Sequence, residues 1–113
     1  MPDEITIALG QISSRVGDKK YNLETMKRII KTAKKRGADL TAFPELALTG
    51  YVVRDRAYEL AEPVPAGPSV RQIEDIARKE NIHIILGMIE RSAKASAVLH
   101  NTALLIGPKG FIG

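Results

Sequence analysis

The chain has 113 residues, 44% hydrophobic and 27% charged, which predicts one soluble globular domain or part of one, with no disorder, fibrous repeat or second domain expected within these residues. It contains no cysteine, so disulfides, a thiolate nucleophile and sulfur-liganded zinc are all excluded within these residues. The formal charge of +4 comes from 17 basic residues set against 13 acidic ones, a weak bias that permits attraction to polyanions without defining a footprint. No apolar run reaches the roughly 18 residues of a transmembrane helix. Asp3 and Glu4 stand where a signal peptide carries positive charge, so the expected location is cytoplasmic with no membrane partner.

In chain order, Ile5 to Ile12 mixes β-branched and small residues between an acidic start and Ser13, Ser14 and Gly17, which predicts a first, buried strand. Asn22 is the expected cap of a first helix, in which Leu23, Met26, Ile29, Ile30 and Ala33 recur at helical spacing. Lys34, Lys35 and Arg36 crowd its last turn before Gly37. Leu40 to Phe43 is a short second strand that Pro44 must end, and this leaves Glu45 at a strand exit.

Residues 46–68 are punctuated by Gly50, Pro63, Pro65, Gly67 and Pro68, leaving room for no more than a short helix over Asp55 to Ala61. Ser69 with Gln72 fits a capping box, and Val70, Ile73, Ile76 and Ala77 form the apolar stripe of a second helix running to about Glu80. Ile82 to Ile89 and Ala97 to Ile106 are nearly unbroken apolar runs on either side of a polar turn at Arg91 to Ser96, as expected of a hairpin. Gly107 to Gly110 is turn chemistry, and Phe111 begins a further apolar element. The predicted fold class is α/β, a mixed sheet with helices packed on it. Strands this apolar need cover on both faces, and two helices cover only one.

Glu45 is the foremost site candidate, because ligands of open α/β sheets bind beyond the carboxyl ends of strands. Its apolar neighbours would desolvate a carboxylate, a setting that suits a general base near neutral pH. His83 and His100 lie inside apolar strands without a second ligand at metal-binding spacing, so they read as hydrogen-bonded strand histidines and no metal site is expected. Ser13, Ser14, Ser69, Ser92 and Ser96 lack a nucleophile-elbow context. Neither Gly10 nor the Gly107 to Gly113 stretch forms a phosphate loop, so no cofactor is expected. The basic run from Lys19 to Arg36 is poor in interleaved aromatics and reads as a solvated helix face ahead of a nucleic-acid site.

The stretch Phe43-Pro44-Glu45-Leu46-Ala47-Leu48-Thr49-Gly50-Tyr51 resembles the first signature of the carbon–nitrogen hydrolases of the nitrilase superfamily, a Pro-Glu followed by Thr-Gly-Tyr. The early strand, the first helix, Gly67-Pro68 before a helix, Ile84 to Glu90, and Leu99 to Gly110 with its Asn-Thr-Ala and Gly-Pro-Lys-Gly match in the same order, across essentially all 113 residues. The resemblance implies the N-terminal part of an α-β-β-α sandwich, residues 1–113 being a partial domain with its mixed sheet helix-covered on one face. It also implies a Glu-Lys-Cys triad acting on a non-peptide C–N bond of a small amide or nitrile. Glu45 matches the base. Lys109 does not match the family lysine, and the matching lysine and cysteine segments lie outside these residues, so the chain alone is expected to be inactive. By the same resemblance Tyr51 and Asn101 fall near the site, each equally explained by packing or a strand-end hydrogen bond. A fragment of this kind is expected to hide its open sheet in a homo-oligomer or against a complementary chain, the alternatives to a truncated hydrolase being a scaffold fragment or half of a split enzyme.

Overall fold

Two short strands run parallel to a long third, and two antiparallel strands complete the sheet of the molecule, described by a computed structural model over residues 3–95 and 97–113; Met1, Pro2 and Ser96, the end of the predicted polar turn, lie outside the described residues. The elements are β1 (Ile7–Leu9), α1 (Lys19–Lys35), β2 (Leu40–Ala42), a 3₁₀ turn (Arg54–Arg56) running into α2 (Ala57–Leu60), α3 (Pro68–Glu80), β3 (His83–Arg91), β4 (Leu99–Gly107) and β5 (Gly110–Phe111). The strands lie in sequence order, β1 to β3 parallel and β3 to β5 antiparallel. Because the parallel strands advance in one direction, crossovers of a single hand deliver α1 and α3 to the same face. The expected α/β class, the hairpin and the one-sided helix cover are what the chain adopts.

Register fixes which residues meet the helices. Ala8, Thr41, Ile84 and Ile106 align across four strands. The buried Ile84, Leu86, Met88, Leu104 and Ile106 then pack against Leu23, Met26, Ile30 and Ala33 of α1 and Val70, Ile73, Ile76 and Ala77 of α3. Full burial of one such aliphatic side chain contributes about 1.5–3 kcal/mol, so this layer holds the fold. The alternate residues point the other way: Ile89 is buried there under Val53, Leu60 and Ala61, whereas Ile5, Ile7 and Leu9 stay open at 64%, 52% and 80% exposure. The second face that the apolar strands call for is therefore covered only in part in this chain.

Several element ends differ from expectation, each for a local reason. The helix start moves from Asn22 to Lys19, because Asp18 caps it by accepting the Tyr21 amide at 3.0 Å. Asn22 is buried inside α1 instead. Gly37, at φ +85°, provides the left-handed stop that the basic last turn anticipates. The second helix starts one residue earlier, with Pro68 in its first turn and Gly67 at the cap. Ser69 does not cap it, since its hydroxyl donates to Glu62, and Gln72 accepts from Lys27 across the helix pair in place of closing a box. The first strand keeps only three paired residues of the predicted eight, because β2, its sole partner, is itself three residues long. His83 and His100 are exposed on the sheet surface, His83 at the start of β3 and His100 opposite Glu90, not packed within it.

Candidate active site

β2 ends where its donors end. The Phe43 amide still reaches the Ile85 carbonyl at 2.9 Å, and Pro44, without an N–H, stops the ladder. The chain then turns within one helical-type loop: Ala47 donates to the Pro44 carbonyl at 3.2 Å and Gly50 to Leu46 at 2.8 Å, with Leu46 held at φ +51°. A left-handed non-glycine residue is a strained conformation that the surroundings must enforce.

Gly87 on β3 is part of that enforcement. A side chain there would collide with the Leu46 amide nitrogen and lie 2.8 Å from the Pro44 carbonyl oxygen, so only glycine lets the 44–46 backbone rest on the strand. The Leu48 amide donates to the Gly87 carbonyl at 3.2 Å. From the other side the loop between β1 and α1 clamps the turn. Ser14 Oγ donates to the Ala47 carbonyl at 2.6 Å, Asn22 Nδ2 to Leu48 at 2.9 Å, and the Gly17 amide to Thr49 at 2.7 Å. Asn22 also exchanges hydrogen bonds with the Arg15 backbone, at 2.8 and 2.9 Å, so this buried amide ties helix, loop and turn together. The turn carrying Glu45 is thus over-determined by packing and polar contacts from three elements.

Glu45 itself is exposed. The apolar neighbours that promised a desolvated carboxylate point into the core beside it, and the open sheet face leaves its head group in water. One oxygen, Oε1, accepts Asn101 Nδ2 at 2.5 Å. Asn101 lies on β4 opposite Ile89, so a strand 56 residues away reaches the base candidate. Pro44, Glu45, Ile85, Gly87, Asn101 and Ala103 rim a shallow groove of about 290 Å³ on the open face. Tyr51 is 67% exposed beyond the turn. Lys109 lies past the opposite end of β4, whose last residue, Gly107, is six strand positions or roughly 20 Å from Asn101, and does not belong to this site.

A second carboxylate escaped the sequence reading. Glu62 is 4% exposed and accepts Lys19 Nζ at 2.8 Å, the Ser69 amide at 2.8 Å and the Ser69 hydroxyl at 2.6 Å. Burial raises its pKa, but these donors outweigh burial and leave it below the ordinary value of 4.5. Its backbone continues the sheet alongside β3 after β2 has left: the Glu62 amide donates to Ile89 at 3.2 Å and the Arg91 amide to Glu62 at 2.9 Å. The legible signal was Gly67-Pro68, a helix start without a capping side chain, which requires an acceptor from elsewhere. Among the described residues no group of three or more His, Cys, Asp or Glu converges as a metal site, and no helix is long and apolar enough to cross a membrane.

An exposed glutamate on a strand-exit turn, set by a glycine crossing and held by a distant asparagine, is the arrangement into which the Pro-Glu and Thr-Gly-Tyr signature folds. The sequence model of the carbon-nitrogen hydrolases matches residues 6–113. The chain belongs to that family. It is similar to a protein described as a nitrilase from Pyrococcus abyssi, 33% identical over 111 residues, covering 96% of this chain and 41% of the relative. An (R)-stereoselective amidase from a Pseudomonas species is 30% identical over 104 residues, with 92% of this chain and 36% of that protein covered. Among solved structures, Saccharomyces cerevisiae Nit3, a member of branch 10 of the nitrilase superfamily, superposes with a TM-score of 0.81 at 25% identity, over 94% of this chain and 41% of Nit3. The chain spans about two fifths of these relatives and corresponds to the N-terminal part of nitrilase-superfamily structures.

Proposed function

We propose that these residues form the base-bearing part of a hydrolase that cleaves a non-peptide C–N bond in a small amide or nitrile, with Glu45 as general base of a Glu-Lys-Cys triad. The lysine and cysteine come from sequence outside these 113 residues, so the chain alone does not turn over substrate. Glu45 takes the thiol proton, and the resulting thiolate attacks the amide or nitrile carbon. The lysine stabilises the negative charge that develops on the amide oxygen of the tetrahedral species, or on the nitrile nitrogen as a thioimidate forms. With an amide, the C–N bond breaks as Glu45 returns the proton to the leaving nitrogen, and water, activated by the same carboxylate, hydrolyses the thioester. Nitrile, aliphatic amide, N-carbamoyl compound and glutamine all remain candidate substrates. The completed site works in the cytoplasm.

The observation that carries the reading is the placement of Glu45: an over-determined turn presents its carboxylate beside an uncovered apolar face. A buried structural acid would not be built that way. The same face gives the partner expectation. Ile5, Ile7 and Leu9 are covered by the segment carrying the lysine and cysteine, or by a second copy when that segment is missing. Light scattering of the 113-residue chain at micromolar concentration is expected to show an oligomer, and a clean monomer would count against self-association.

The deciding experiment reads the source frame past codon 113 and assays the polypeptide, or pair of polypeptides, that contains both the Lys and the Cys segments. Turnover of amides or nitriles is expected, with Glu45→Gln lowering kcat by about 10³-fold or more while circular dichroism stays unchanged. Retention of activity in Glu45→Gln would remove the base assignment. A stop codon at once, with no co-purifying partner, would leave the scaffold reading in its place.

A further inference from the structure

A base that must take a proton from one direction needs more than a fixed backbone, because a glutamate side chain retains three rotatable bonds after its Cα is placed. The turn and Gly87 fix the Cα of residue 45, and one side-chain contact reaches the head group, Asn101 Nδ2 to Oε1 at 2.5 Å. Oε2 has no donor among the described residues. Asn101 stands on a regular strand, aligned with Ile89 and two positions from the Gly87–Ala103 pair, so its own position is set by the hairpin ladder. A neutral amide donates one hydrogen bond to the carboxylate and carries no charge, so it orients the group without forming an ion pair. Such a contact between exposed groups adds little to stability in water, which leaves orientation as what it supplies.

We propose that Asn101 is the positioning residue of Glu45, pinning Oε1 through Nδ2 so that Oε2 is the oxygen that takes and returns the proton. The inference rests on Glu45 being the base, and its consequences separate from that reading. In the catalytically complete form, Asn101→Ala is expected to lower kcat by about 10²-fold with KM within about threefold, as misplacement of a reacting group does. Asn101→Asp keeps the shape but replaces the donor with a repelling charge, and is expected to fall below Asn101→Ala. In the Glu45→Gln background Asn101→Ala is expected to cost nothing further, because the two act as one unit. A kcat for Asn101→Ala within twofold of wild type, a loss confined to KM, or additive losses in the double variant would overturn the proposal.

The contact can also be read without turnover. In the 113-residue chain, the Asn101 side-chain amide protons are expected to shift and to exchange faster with solvent when Glu45→Ala removes their acceptor. Unchanged resonances would overturn the inference whatever the fate of the base assignment. If Glu45→Gln proves active while the Asn101 amide does respond, the base reading fails and the contact alone survives.

Discussion

Two glutamates 17 positions apart in the chain have opposite surroundings, and the contrast sets an acid built into the fold against the one proposed as base. Glu62 is enclosed, ionised and engaged at both oxygens, where it joins the start of α1, the start of α3 and the edge of β3. Glu45 is exposed, with one oxygen held and one without a donor among the described residues. Three donors hold the Glu62 carboxylate in its ionised form, whereas Glu45 accepts one side-chain hydrogen bond among the described residues, which leaves Oε2 to meet a proton donor. Burial and perturbed ionisation alone would have singled out Glu62, not the proposed base.

The largest expected effect follows from the free oxygen: in the completed enzyme Glu45→Gln abolishes turnover while leaving the melting temperature of the fold essentially unchanged. Glu62→Ala should do the reverse. Removing it strands Lys19 and the Ser69 amide, at a cost of about 3 kcal/mol, the low end for a broken buried pair because Lys19 is partly exposed. Urea denaturation measures this, and a Glu62 variant that folds normally but loses kcat would break the distinction between the two acids. The same carboxylate sets an acid limit. Since its folded pKa lies below the ordinary 4.5, its contribution is complete above that value and drains away as pH falls through the folded pKa, a loss that Glu62→Ala should no longer show.

Gly87→Ala sharpens the comparison from the other side, because the added methyl meets backbone and not a yielding side chain. A cost of about 1–3 kcal/mol is expected, with loss of activity beyond what that instability explains, since the displaced atoms carry Glu45. The smallest effect is expected at Thr41, buried with no hydrogen-bond partner for its hydroxyl among the described residues; Thr41→Val should stabilise by about 1 kcal/mol in thermal melts.

These features differ in how far they could be read from the residues alone. Helical stripes such as Val70, Ile73, Ile76 and Ala77 were legible because a 3.6-residue period is local, and Pro44 announced a strand end because its missing donor is a property of one residue. Helix starts were misplaced where the capping group was not the side chain that looked like a cap: Asp18 caps α1 locally, and Glu62 accepts the first-turn Ser69 amide of α3 from a distance. Asn22 and Ser69 have the chemistry of caps, yet each is claimed by a tertiary partner, the 46–50 turn in one case and Glu62 in the other. Glu45 stood out by its strand-exit position and then by its signature, while its exposure, its contact with Asn101 and the crossing at Gly87 arise only when β3 and β4 lie beside the turn. A glycine in a strand gives notice of a close approach without saying what approaches.

The sheet is also unevenly timed. β3 and β4 pair over eight positions across a short connection and can zip as soon as both exist, whereas Ile7 must find Leu40 across a whole helix. The strand made first is therefore among the last to be paired, and it carries Ile5, Ile7 and Leu9 on its outward face at the edge of the sheet. Until that strand docks it is an unguarded template for another chain, so the yield of folded protein depends on concentration and on how soon its outward face is covered.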